Sequence, residues 1–139
     1  MGQAAESRKK KRIFTSRVKE PDPGLWSNCF VVGDQFFISG MVARDKTGEL
    51  VGPGDPYAQS MQALKNFKAY VEAAGATMDD VLRITVNLTD IRYRSAFIDA
   101  RQQFFKDDFP TAVLVGNVTL ASSELLVEVD GHGVVGCGS

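Results

Sequence analysis

The chain has a single histidine, His132, and only two cysteines, Cys29 and Cys137, among 139 residues. Two thiols can build neither a disulfide framework nor a cysteine zinc site. Nothing in the cysteine usage calls for an oxidising compartment, and a reducing cytoplasm is the expected location. A Ser- or Cys-based triad would have to use His132, and no nucleophile pairs with it by spacing. Phosphate-binding glycine-rich loops and nucleophile-elbow serines are also missing. No apolar run approaches the ~20 residues of a membrane-crossing helix, and none near the N-terminus has the character of a secretory leader. No membrane partner is therefore expected.

What is present is the composition of a globular domain, with 44% hydrophobic and 24% charged residues. A chain of this length buries about two-thirds of its unfolded surface and needs no crosslink or metal to fold. The net charge of -1 conceals an uneven spread. Arg8, Lys9, Lys10, Lys11 and Arg12 form one basic block, which leaves residues 13–139 with 11 basic against 16 acidic side chains. An acidic body is a poor nucleic-acid surface, and no nucleic-acid partner is expected. Residues 1–12 read as a disordered, solvated basic tail, and residues 13–136 as one domain.

Hydrophobic periodicity and turn residues give the order of elements. Ile13, Phe14 and Val18 suggest a short strand over 13–19, broken by Pro21-Asp22-Pro23-Gly24. Residues 30–32 and 35–39, separated by Gly33-Asp34, read as a tight hairpin. A long loop follows, with a strand fragment at Leu50-Val51. Asp55-Pro56 is a capping carboxylate followed by a proline suited to the first helical turn. Tyr57, Met61, Leu64, Phe67, Val71 and Ala74 then recur at helical spacing up to Gly75, a natural C-terminal stop. Thr77 and Asp80 resemble a capping box. Residues 81–88 alternate as a strand, residues 93–105 form a second helix, and strands are expected over 111–118 and 124–135. The reading is an α+β domain of order β-β-α-β-α-β-β, with two helices on one face of a mixed sheet.

The last strand carries the most suggestive chemistry. Glu128, Asp130 and His132 alternate with Val127, Val129 and Gly131, so the three polar side chains share one face about 6.6 to 7 Å apart. This face is either a solvated strand surface or a site where one carboxylate positions water while its neighbour tunes its pKa. It offers too few ligands for a metal. Arg83, Arg92 and Arg94 are candidate carboxylate binders or ordinary surface arginines. Cys29 is either a buried structural thiol or a reactive one, and Cys137 is incidental.

Several short motifs coincide with one family. They are "VVGDQFFISG" at 31–40, "GEL" at 48–50, "QALKNFKAYVEAAGATMDDVLRITVNLTDI" at 62–91, "FIDARQQFF" at 97–105, "FP" at 109–110 and "LLVEVDG" at 125–131. From Phe14 to Val135 the chain resembles the reactive-intermediate deaminase family (Rid, or YjgF-type, with an older label of endoribonuclease). The resemblance implies a YjgF/chorismate-mutase-like α+β unit that assembles as a homotrimer, with small-molecule clefts between subunits. It also implies hydrolysis of enamines and imines to ketones and ammonia without a cofactor, since such intermediates react with water unaided.

Residue by residue, the resemblance transfers unevenly. The family's cleft aromatic falls on Trp26 of "GLWSN", its "SG" on Ser39 and Gly40, and its water-positioning glutamate on Glu128. Met41 stands in place of a glutamine, Leu114 in place of a cysteine, and Ile98 in place of a cleft-lining asparagine. The arginine that clamps the substrate carboxylate in a bidentate pair falls on Ala112, which cannot perform that role. The expectation is a divergent hydrolytic deaminase with Glu128 as its catalytic residue, or else a noncatalytic trimer that binds a small ligand. Trp26, Ser39, Gly40, Ala112, Leu114 and Ile98 would line the cleft, with Arg83 or Arg94 as a relocated clamp.

Overall fold

Gly33 opens a tight reversal with a φ of 60°, a conformation that glycine adopts without steric cost. Around it, in a computed structural model that describes residues 8–138, strands β2 (Cys29–Val32) and β3 (Gln35–Met41) pair antiparallel. The other strands are β1 (Lys11–Arg12), β4 (Val81–Leu88), β5 (Thr111–Val115) and β6 (Val127–Val134). They form one six-stranded sheet in the order β1-β2-β3-β6-β4-β5. The last strand thus lies inside the sheet, antiparallel to both β3 and β4, while β4 and β5 run parallel. A parallel pair needs a crossover, and helix α2 (Arg94–Arg101) lies within it.

Helix α1 (Pro56–Ala73) starts where Asp55 accepts a hydrogen bond from the Ala58 N–H at 3.0 Å. It ends before Gly75, which has a φ of 86°. Its apolar stripe lies on β3 and β6, and α2 packs beside it. Leu64, Phe67, Tyr70 and Val71 from α1 meet Phe36, Ile84, Val86, Leu88, Val127 and Val129 from the sheet, with Phe97 and Ala100 from α2. Each buried aliphatic or aromatic side chain contributes about 1.5–3 kcal/mol. Both helices thus share one core with a single face of the mixed sheet, the α+β layering expected.

Strand alternation sends a second set of side chains to the other face. Register places Phe37, His132, Arg83 and Thr111 in one row, Asp130, Thr85 and Val113 in the next, and Glu128, Asn87 and Val115 in a third. Phe37, Val113 and Val115 are exposed there.

Four local readings need correction. Residues 13–19 form no strand: the Ile13 N–H still donates to Cys29 O at 2.9 Å, but Phe14 beyond it is exposed. The pairing sits two residues earlier, where Lys11 and Arg12 oppose Val31 and Phe30. The ordered part therefore includes the end of the basic block, and residues 1–7 of the expected tail lie outside the described residues. Helix α2 stops at Arg101, because Gln103 and Phe104 tighten to i→i−3 bonds on Ala100 and Arg101. Strand β5 stops at Val115, just before Asn117 with its φ of 58°.

Candidate functional site

A β-bulge builds the site. Ile38 pairs with Gly131 and Met41 with Val129, so β3 spends one residue more than β6 across this interval. The extra residue falls at Ser39-Gly40 and re-aims the strand locally. The Glu128 side chain from β6 folds over Gly40, where a side chain would otherwise stand. Both residues border a cavity of about 600 Å³ that also includes Trp26, Met41, Arg44 and Leu125. That size suits a small organic molecule.

Burial raises the pKa of the Glu128 carboxyl, and the charge of Asp130 raises it further. Asp130 is also raised by burial, against the opposing pull of His132, Thr85 and Arg83. A carboxyl pushed upward holds a proton more readily near neutrality, which suits an acid–base role.

A hydrogen-bonded hub lies behind the cavity wall. Asn28 is buried; its Oδ1 accepts from the Trp26 indole N–H at 2.9 Å and from the Ser39 hydroxyl at 3.2 Å. Its Nδ2 donates to the Tyr70 hydroxyl at 2.9 Å and to Lys19 O at 3.4 Å. Tyr70 in turn donates to Glu20. The loop beside the cavity is pinned by Asn66, whose Nδ2 donates to Val42 O at 2.9 Å and Arg44 O at 2.8 Å. Arg44 bonds Glu124 Oε1 at 3.0 Å and Gly48 O at 3.3 Å.

Of the residues singled out in the sequence, the structure brings together Trp26, Ser39, Gly40, Met41 and Glu128. Ala112 and Leu114 lie on β5, with β4 between them and β6. Ala112 is exposed, whereas Leu114 packs against the core. Ile98 is half-buried on α2. None of these three borders the cavity of one chain. Arg83 and Arg94 do not border it either; Arg83 shares its row with His132, and Arg94 opens α2. Arg92 is taken up by Asp90, with Nε 3.0 Å from each carboxylate oxygen. His132 is exposed on the open sheet face, its ring 5.9 Å from that of Phe37. Cys29 is buried, and burial first and Glu20 second push its thiol up to about 12, which makes it a structural thiol.

Sequence reasoning missed Asn28, Glu20, Tyr70 and Arg44. Tyr70 carried a usable signal, since a tyrosine buried in a helix needs a partner for its hydroxyl. Among the described residues no group of three or more His, Cys, Asp and Glu side chains could hold a metal ion, and no helix is long and apolar enough to cross a membrane.

A family model described as endoribonuclease L-PSP matches residues 19–135. A RutC family protein of Pyrococcus horikoshii is 34% identical over 122 residues, covering 87% of this chain and 94% of its own. A 2-iminobutanoate/2-iminopropanoate deaminase of Dermatophagoides farinae is 34% identical over 108 residues, 76% of this chain and 83% of that one. The crystal structure of YyfA from Yersinia pestis, a protein of unknown function of the conserved Rid family, superposes with a TM-score of 0.84. Its identity is 29%, covering 91% of this chain and 100% of that one.

Proposed function

The chain belongs to the endoribonuclease L-PSP family, which takes in the RutC and Rid proteins, and from that premise we propose that it is a divergent hydrolytic deaminase of small enamines or imines. The observation that carries the reading is the Glu128 carboxyl, raised in pKa and folded over Gly40 in a cavity walled by Trp26. In the reaction Glu128 takes a proton from water as the oxygen adds to the C=N carbon. Glu128 returns that proton to the nitrogen, and the resulting carbinolamine collapses to a ketone and ammonia as its hydroxyl proton passes, again through Glu128, to the departing nitrogen. An imine already reacts with water, so orientation and proton transfer are the help it needs.

Assembly as a homotrimer is part of the proposal. The open sheet face, with Phe37, Val113 and Val115 exposed, is the surface other copies would cover. Such packing would bring the β5 edge of a neighbour, with Ala112, towards this cavity. Because Ala112 carries no charge, the substrates are those that do not depend on a carboxylate clamp there.

A second reading, a noncatalytic trimer that binds a small metabolite, is favoured by that same alanine. Ammonia release separates the two. Imines made in situ by an amine oxidase, which carry no carboxylate, and by an amino-acid oxidase, with semicarbazide as the competing trap, are the substrates to compare. The uncharged imines are hydrolysed faster with the protein present, and Glu128→Gln abolishes the gain. No acceleration by a trimeric protein, with ligand binding retained, would establish the binding role instead.

A further inference from the structure

The hub behind the cavity wall has a direction. An indole N–H can only donate and a peptide carbonyl can only accept. Trp26 Nε1 lies 2.9 Å from one end of the Asn28 amide, and Lys19 O lies 3.4 Å from the other. Those two neighbours orient the amide, with Oδ1 towards Trp26 and Nδ2 towards Lys19. Ser39 Oγ stands 3.2 Å from Oδ1. An amide oxygen accepts, so the Ser39 proton is committed to it. The Tyr70 hydroxyl accepts from Nδ2 and donates its own hydrogen bond to Glu20. Donation thus runs inward, from Trp26 and Ser39 to Asn28, then to Tyr70, then to Glu20. Asn28 is only 4% exposed, which leaves little room for water to reverse the order.

Towards the cavity, Ser39 therefore presents lone pairs and no proton. Glu128, over the adjoining Gly40, offers carboxylate oxygens. We propose that this corner of the cavity recognises an N–H donor, the nitrogen of an amine, enamine or iminium group, and discriminates against a ketone of the same shape. The inference rests on the deaminase reading of the cavity and adds selectivity to it. Substrate nitrogen can donate to Ser39, whereas the ketone product brings only an acceptor to face an acceptor, and is released more readily.

Two pairs of isosteres test this, each differing by NH2 against CH3: oxamate against pyruvate, and propanamide against butan-2-one. Binding is read from the emission of Trp26, the one tryptophan of the chain. The amide of each pair should bind about tenfold tighter, the scale of one well-made hydrogen bond. Asn28→Ala frees the Ser39 hydroxyl to rotate and donate, and should bring each pair towards parity with Ser39 still present. Ser39→Ala should do the same should Asn28→Ala fail to fold. Tyr70→Phe weakens the network without releasing Ser39, so it should lower Tm and keep the preference.

Equal affinities within each pair, no binding by either amide, or a preference that survives both Asn28→Ala and Ser39→Ala would overturn the proposal. So would loss of the preference in Tyr70→Phe, which would attribute it to general loosening. An amide preference that persists while Glu128→Gln leaves imine hydrolysis unchanged would sink the deaminase reading alone. Hydrolysis that depends on Glu128 without any amide preference would sink this inference alone.

Discussion

A β-carbon built on Gly40 would stand 2.5 Å from Cδ of Glu128 and 2.8 Å from its Oε1. The carboxyl group fills the space that any other residue at position 40 would need. Gly40→Ala must push Glu128 aside, and the colliding atoms belong to the movable end of a side chain. Stability should fall by only about 1 kcal/mol, while imine hydrolysis drops by about tenfold or more. Melting curves and ammonia release on the same sample check both halves. A variant with full turnover would show that Glu128 can work from another position.

The raised carboxyls predict a pH dependence of stability. Glu128 and Asp130 both have higher pKa values in the folded state than in the unfolded chain. Between those values the native state holds more protons, so both groups make the protein less stable as pH rises through that interval. Glu128→Gln should therefore gain stability over the parent at pH 7, with the gain shrinking below the unfolded pKa. Urea unfolding at pH 7 and near pH 4 measures the difference, and an equal offset at both would contradict it.

The two thiols should separate cleanly. Cys29 is buried with its thiol pushed up to about 12, whereas Cys137 is exposed. Native protein at pH 8 should react with a disulfide reagent at Cys137 only, because thiolate is the reacting form. Cys29 should react only on unfolding. Two equally fast thiols in the native protein would contradict the burial of β2.

Ala112 gives a gain-of-function test. It is exposed on the edge strand β5, so Ala112→Arg should change stability by no more than about 0.5 kcal/mol. If β5 of one copy borders the cavity of another, the new guanidinium should raise kcat/KM for carboxylate-bearing imines about tenfold, chiefly through KM. Uncharged substrates should gain nothing. No change for either class would place β5 away from the cleft.

Much of the architecture was legible because it rests on local chemistry. The Gly33 turn, the Asp55 cap, the stop at Gly75 and the alternation of β4 and β6 all depend on neighbours in sequence. The strand order was not legible. Nothing in residues 127–134 says that they slot between β3 and β4, since pairing partners are chosen by the whole core. Lys11 and Arg12 look like solvated tail in the sequence because charge masks a two-residue pairing, while Ile13, Phe14 and Val18 imitate a strand that the backbone does not form. Trp26, Ser39, Gly40 and Glu128 were found through the family motifs, and the structure does bring them together. Asn28 gave no periodic signal, because its importance comes from four partners brought in from separate parts of the chain. Arg44 on the cavity rim likewise stands out only once the fold brings Glu124 to it across the chain.

The shortness and charge of β1 matter beyond the two residues they occupy. A sheet grows until something stops it, and an uncovered margin such as that of Phe30 and Val31 invites another molecule to add a strand. Lys11 and Arg12 occupy that margin, and Lys10 stands over the Phe30 ring at 4.9 Å. A newcomer would have to displace the pairing and tolerate the repulsion. The charged strand thereby stands between the sheet and any further strand at this edge, and its like charges oppose growth of the sheet in that direction.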